Sequence, residues 1–162
     1  MLDEQTFLEK LLGAEQMLYH IACTMLREEN DRRDALQETA LKAWQHRGRL
    51  REDRYFTTWV TRILINECRS IGRRSRRVTP TDTLPERPAP PQGDAELRVL
   101  LEAMPEKHRL PLVMYYLEGF SVEELAQALG VPVGTAKYRL FQARKALRVE
   151  LDGEEATIHE GN

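Results

Sequence analysis

A proline-rich segment near the middle of the chain sets the strongest limit on what this sequence can fold into. Residues 79–94 hold five of the eight prolines of the 162-residue chain. Proline lacks an amide donor and disfavours helical backbone in the residue before it, so this segment is predicted to be an extended, flexible linker. We therefore expect two small domains, residues 1–78 and 95–151, followed by a disordered acidic tail at residues 152–162.

On both sides of this segment the apolar residues follow helical spacing, and no strand-like alternation is present. An all-α fold with two small helical domains is therefore predicted. The first domain is expected to contain helices over residues 3–28, from an N-cap at Asp31 to about Gln45, and from about Arg54 to Ser75. The second domain is expected to contain a helix stopped by Pro105, a helix ending near Gly119, and two further helices around a tight turn.

Several functional classes find no support in the composition. No apolar run approaches the ~20 residues of a membrane-spanning helix, and the acidic N-terminus lacks an apolar signal core. Cys23 and Cys68 have neither metal-ligand nor disulfide-framework spacing. The four histidines are scattered without a nucleophile or a carboxylate cluster, and no phosphate-binding glycine loop is present. We expect no enzymatic activity, no cofactor, no metal and no small-molecule substrate.

The net charge of −2 conceals a pattern of alternating blocks. Residues 1–38 carry four cations and nine acids, whereas residues 42–77 carry eleven cations and three acids. Residues 78–134 are again acidic, residues 137–148 hold five cations and no acid, and the remaining residues are acidic. Two separate basic segments indicate two contacts with a polyanion, and the acidic blocks indicate faces for other partners.

The second of these basic segments lies in a helix-turn-helix pattern, SVEELAQALGVPVGTAKYRLFQARKAL, at residues 121–147. Ser121 and Glu124 form a capping-box pattern, and Gly130 suits the left-handed residue that ends a helix. Short polar residues at the start of such a recognition helix reach base edges, and cations further along contact phosphates. The alternative is an ordinary amphipathic helix with a solvated charged face.

The first basic segment, residues 49–77, interleaves aromatic residues with arginines. Aromatic rings stack on unpaired bases and arginines follow the phosphates, so this composition suits melted or single-stranded DNA. Phe56 and Trp59 are more simply read as core residues on the inner face of the helix. That reading leaves Tyr55 and the outer residues for DNA.

Together these motifs closely resemble the extracytoplasmic-function group of the sigma-70 family of RNA polymerase sigma factors. The segment from Asp31 to Trp44 resembles the family's D-x-x-D-x-x-Q-E-T helix, and the segment from Phe56 to Asn66 resembles its F-x-T-W-x-x-R-I-x-x-N signature. The helix-turn-helix resembles that of sigma domain 4. Tyr138 replaces a frequent serine in that recognition helix, so the promoter sequence does not follow from the resemblance.

The resemblance implies a role for each exposed set of residues. The −35 promoter element would be contacted by Thr135, Lys137, Tyr138, Arg139, Gln142, Arg144 and Lys145. The −10 element would be contacted by Arg49, Arg54, Tyr55, Arg62, Asn66, Arg69, Arg73 and Arg74. The clamp of the β′ subunit of core RNA polymerase would be bound by Asp31, Asp34, Gln37 and Glu38. The resemblance also implies a separate contact with the β flap. The resemblance also implies control by an anti-sigma factor and a cytoplasmic location.

Two other functions are compatible with the same residues. A stand-alone helix-turn-helix regulator would bind DNA without polymerase, although it would have no use for Asp34, Gln37 and Glu38 exposed together. A protein-only adaptor would use its basic faces to bind an acidic partner. Strong salt dependence of DNA binding would separate the adaptor from the other two functions.

Overall fold

The computed structural model describes residues 2–78 and 95–160, and every regular element within these ranges is helical. This confirms the predicted all-α class. The helices are α1 (Glu4–Met25), α2 (Glu29–Gln45), α3 (Phe56–Val78), α4 (Ala95–Ala103), α5 (Glu106–Leu112), α6 (Val122–Leu129) and α7 (Val133–Glu160). The predicted linker, residues 79–94, lies outside the described residues.

A side-chain cap marks the beginning of α1, whereas α2 begins without one. The Asp3 carboxylate accepts a hydrogen bond from the Thr6 amide at 2.7 Å, which caps α1 and lowers the pKa of Asp3. The predicted N-cap at Asp31 is wrong, because α2 begins at Glu29 with Glu28 in the cap position. Asp31 instead lies in the first turn, where a negative charge is favoured by the helix dipole.

The helix-turn-helix forms as predicted. The Ser121 hydroxyl accepts from the Glu124 amide, and the Glu124 carboxylate accepts from the Ser121 amide, so the capping box is complete. Gly130 ends α6 with φ at 70°, a conformation that costs a residue with a side chain about 1–2 kcal/mol. After this turn α7 continues to Glu160, so the expectation of a disordered tail is wrong for residues 152–160. Glutamate and alanine in that stretch favour helix, and no proline interrupts it.

The connection between α5 and α6 departs from regular α-helix. Pro111 lies inside α5 and removes one helical hydrogen bond, and the next turn, Val113–Leu117, is a π-helical segment. Gly119 then takes φ at 76° and turns the chain toward α6. This segment decides where Tyr115 and Tyr116 are placed.

The larger of two hydrophobic clusters among the described residues runs through both halves of the chain. Phe7 packs edge-on against Trp44 and Phe56, with ring centroids 5.3 and 5.9 Å apart. The same cluster continues into residues of α5, α6 and the π-helical segment, including Leu110, Met114, Leu125 and Leu129. Helix α6 therefore packs on α3, and α5 packs on α1. We call this packing of the two halves the closed arrangement.

Candidate nucleic-acid interface

Helix α7 presents most of the predicted −35 residues on its outer face. Ala136, Leu140 and Ala143 are buried along the inner stripe, as predicted. On the outer side Lys137, Tyr138, Arg144 and Lys145 are exposed, whereas Thr135, Arg139 and Gln142 are partly buried at its flanks. Each of the predicted side chains is thus accessible to a ligand.

Two further residues lie beside this face that the sequence pattern did not predict there. Phe141 is 59% exposed, nearly as much as Tyr138 at 62%, and lies one turn further along α7. Tyr116, 55% exposed, comes from the π-helical segment, and its hydroxyl oxygen accepts a hydrogen bond from Arg144 Nε at 2.6 Å. Phe141 could have been identified from the sequence, because it is an apolar ring among the cations of α7. No local pattern connects Tyr116 with Arg144.

The loop before α3 holds three of the predicted −10 residues at the surface. Arg49 lies in a 3₁₀ turn, Arg47–Arg49, and Arg54 and Tyr55 lie in a second, Asp53–Tyr55. The Arg54 guanidinium carbon is 4.7 Å from the centroid of the Tyr55 ring, and Arg54 also pairs with Glu52 at 2.6 Å. Tyr55 remains 40% exposed, so its ring is available for stacking.

Phe56 and Trp59 belong to the core, as the simpler reading of the sequence predicted. Phe56 is 3% exposed, and Trp59 is partly buried against the same cluster. The outer face of α3 instead presents Arg62, Asn66, Arg73 and Arg74, which are exposed, and Arg69, which is partly buried. This face carries positive charge along most of the helix.

The closed arrangement brings α6 against the first half of this face. The Thr58 hydroxyl lies 3.3 Å from Oε1 of Gln127, which is on α6. The Arg62 guanidinium lies against the end of α6, so closely that a Cβ atom on Gly130 would be 3.2 Å from its Nη2. The N-terminal part of the predicted −10 face is therefore shared with the second half of the chain.

Two polar contacts between the halves join α1 to the segment before α6. His20 Nδ1 lies 2.9 Å from Oε1 of Glu118, and both side chains are largely buried, at 22% and 12% exposure. Arg109 Nε donates to the Thr24 carbonyl at 3.0 Å. Sequence reasoning missed both contacts, since their partners are 98 and 85 residues apart.

The predicted polymerase-binding residues share one face of α2. Asp34, Gln37 and Glu38 are exposed, whereas Asp31 is partly buried and accepts a hydrogen bond from the Ser75 hydroxyl at 3.0 Å. Leu41, 49% exposed, continues the same face one turn further on and was missed. The surface is an acidic and amide-bearing patch with an apolar end.

The two cysteines are free thiols, Cys68 buried and Cys23 partly buried. Burial raises the pKa of Cys68 to about 12 and also raises the pKa of Cys23, so both thiols are weak nucleophiles. Within residues 2–78 and 95–160 no group of three or more His, Cys, Asp or Glu side chains is placed to hold a metal ion. None of the helices in these ranges combines the length and hydropathy needed to cross a membrane.

Comparison with known proteins gives matches along most of the chain. The family described as Sigma-70 region 2 matches residues 14–78, and the family described as Sigma-70, region 4 matches residues 94–147. The ECF RNA polymerase sigma-E factor of Salmonella typhimurium is 31% identical over 134 residues, covering 70% of each chain. The RNA polymerase sigma-H factor of Pseudomonas aeruginosa is 29% identical over 165 residues, covering 90% of this chain and 86% of the other.

Two solved structures share the fold. RpoE, from its complex with the anti-sigma factor NepR of Bartonella quintana, has a TM-score of 0.72 at 24% identity, covering 90% of this chain and 96% of RpoE. CnrH, from its complex with the cytosolic domain of CnrY, has a TM-score of 0.70 at 25% identity, covering 93% of this chain and 90% of CnrH. In each case the similarity spans both halves of the chain described above.

Proposed function

The chain belongs to the extracytoplasmic-function group of sigma-70 family RNA polymerase sigma factors, and we propose how its surfaces divide the work of promoter recognition. The observation that carries the proposal is the presence of two exposed basic faces, on α3 and α7, together with a separate acidic face on α2. A protein that joins polymerase to two promoter elements needs these three surfaces. A stand-alone regulator needs only one of them.

The loop before α3 and the outer face of α3 bind the −10 element. Tyr55 offers an exposed ring on which an unpaired base can stack, and the arginines from Arg49 to Arg74 follow the phosphates. A base that is already unpaired costs less to capture than one in a duplex, so this surface stabilises melted DNA. The energy for melting comes from binding, and the protein catalyses no reaction of its own.

Helix α7 enters the major groove at the −35 element. Thr135 and Tyr138 lie near its N-terminal end, where a recognition helix meets base edges. Lys137, Arg144 and Lys145 lie along the exposed surface, where they contact phosphates. Replacing Lys137 with alanine removes one cation and should make log K against log salt shallower by about one unit.

The acidic face of α2 binds the β′ clamp of core RNA polymerase, and the second domain contacts the β flap. Asp34 is exposed and forms none of the ion pairs found among the described residues, so its charge is available to a basic partner. Family membership also implies an anti-sigma factor as regulator and the cytoplasm as the place of action. No cofactor is needed at any of these surfaces.

In vitro transcription with core RNA polymerase tests the proposal. Fragments of the source genome should give discrete new transcripts only when the chain is present. Asp34→Arg should abolish these transcripts and leave DNA binding by the second half unchanged, whereas the exposed Glu9→Arg on α1 should have little effect. DNA binding without transcripts, from a folded sample, would instead support the stand-alone regulator.

A further inference from the structure

Tyr116 and Arg144 form a close pair at the edge of the recognition surface. Arg144 Nε donates to the Tyr116 hydroxyl oxygen at 2.6 Å. The guanidinium carbon is 5.4 Å from the centroid of the Tyr115 ring and 5.6 Å from that of Tyr116. The two rings meet edge to face, with centroids 4.9 Å apart. The guanidinium is therefore positioned by one hydrogen bond and two cation–π contacts.

This geometry leaves the pair with unused donors. Because the Tyr116 oxygen accepts from Arg144, its own proton is free to donate to another group. The terminal guanidinium nitrogens, Nη1 and Nη2, keep their donors as well, since only Nε is used here. Both side chains are exposed, so all of these donors can reach a ligand.

The charge of Arg144 is not neutralised by the described part of the chain. None of the ion pairs within that part includes Arg144, although acidic side chains are abundant elsewhere on the surface. Arg144 also lies on the same side of α7 as Lys137, two turns earlier. The Arg144 guanidinium is fixed in position, keeps free donors and lies beside the recognition face, so it is suited to bind a DNA phosphate.

We propose that Tyr116 and Arg144 act as one phosphate clamp, in which Tyr116 positions Arg144 and donates its own hydroxyl to the same phosphate. The proposal rests on the assignment of α7 to the −35 element and adds a residue from outside the helix-turn-helix. The π-helical segment has a role in this clamp, because it presents two consecutive aromatic residues toward α7. Such segments are frequent at functional sites.

The test uses the full chain bound to core RNA polymerase and a duplex selected from a random library by the wild-type holoenzyme. Tyr116→Phe removes only the hydroxyl, and Arg144→Lys keeps the charge but loses the Nε donor. Tyr19→Phe is the matched control, since it removes a hydroxyl that donates to Glu29 at 3.0 Å, in the first half of the chain. Affinity is measured by fluorescence anisotropy over a range of salt concentrations.

Tyr116→Phe should weaken binding by about 5- to 20-fold with an unchanged salt slope, because a neutral donor is lost. Arg144→Lys should give a similar loss, and the double variant should be little weaker than either single variant. Arg144→Ala should reduce the salt slope by about one unit.

Binding by Tyr116→Phe within twofold of the wild type would overturn the clamp, as would fully additive losses in the double variant. If Lys137→Ala and Arg144→Ala also bind normally, the −35 assignment of α7 itself is wrong. If Lys137→Ala and Arg144→Ala weaken DNA binding but Tyr116→Phe does not, the clamp is wrong and the −35 assignment of α7 stands. An equal loss in Tyr19→Phe would assign the effect to general stability and also overturn the clamp.

Discussion

The contact between His20 and Glu118 makes the closed arrangement open to a direct test. Glu118→Ala removes the acceptor that lies 2.9 Å from the His20 ring nitrogen. The two side chains belong to different halves of the chain, so losing their contact weakens the packing between the halves. We expect the variant to shift the chain from the closed arrangement toward an open one.

The size of the shift follows from the burial of the pair. A hydrogen bond to a charged group contributes about 1.5–3 kcal/mol when buried. His20 is 22% exposed and Glu118 is 12% exposed, so water can replace part of this interaction, and about 1–2 kcal/mol is the expected loss. The ratio of closed to open molecules should then fall by roughly 5- to 30-fold.

Small-angle X-ray scattering measures this change. A compact chain of this length has a radius of gyration of about 15 Å, and separation of the halves increases it. Glu118→Gln retains an acceptor oxygen and should have a smaller effect than Glu118→Ala. Glu123→Ala is the control, because it removes the same charge from an exposed position on neighbouring α6.

The binding of core polymerase supplies a second readout. The two halves are proposed to contact the β′ clamp and the β flap separately, so we expect core polymerase to bind the open chain and Glu118→Ala to bind it more tightly than Glu123→Ala does. An identical radius of gyration and identical polymerase affinity for the two variants would refute the reasoning. His20→Ala combined with Glu118→Ala should add little to either single change, since each removes the same contact.

Further predictions concern stability and reactivity. Arg32, 1% exposed, donates to two backbone carbonyls just after α1, and Arg32→Met should lower the free energy of unfolding in urea by about 3 kcal/mol, since both carbonyls lose their partner. Gly130→Ala should destabilise the chain by about 1–2 kcal/mol in the same assay, because φ is 70° there. Gly13→Ala, in the open middle of α1, should instead stabilise it by about 0.5–1 kcal/mol. Equal effects of the two changes would contradict the argument that the backbone conformation decides the sign. Iodoacetamide at pH 8 should leave native Cys68 unmodified, because burial raises its pKa to about 12 and little thiolate exists. The pKa of Cys23 is also raised, so Cys23 should react slowly. Both cysteines should react in urea. Rapid modification of native Cys68 would show that the core opens readily.

The parts of the fold that local chemistry decides could be predicted from the sequence. The helix-turn-helix is the clearest case, because the side chains of Ser121 and Glu124 each accept a hydrogen bond from the other residue's backbone amide. Gly130 then supplies the left-handed residue that ends the helix. The burial of Phe56 also followed from helical spacing. These features need only a few neighbouring residues, all of them visible in one short stretch of sequence.

Features that depend on distant residues could not be predicted in this way. Leu8 and Leu12 fit the apolar pattern of α1 but are 47% and 67% exposed, because the helices of residues 2–78 and 95–160 leave these two side chains uncovered. The pairing of Tyr116 with Arg144 depends on the π-helical turn, which the sequence pattern does not reveal. Spacing along a helix indicates which residues share a face, but tertiary packing decides what covers that face.

Arg62 connects the closed arrangement with the proposed DNA contact. Its guanidinium lies against the C-terminal end of α6, where the helix dipole is negative and attracts a cation. A phosphate of the −10 element would attract the same guanidinium, so α6 and DNA compete for Arg62. Ligands that bind only one of two conformations shift the equilibrium by their difference in affinity. If Arg62 binds the −10 element as proposed, promoter DNA favours the open chain, and the charge proposed to bind the promoter also helps to hold the free chain closed.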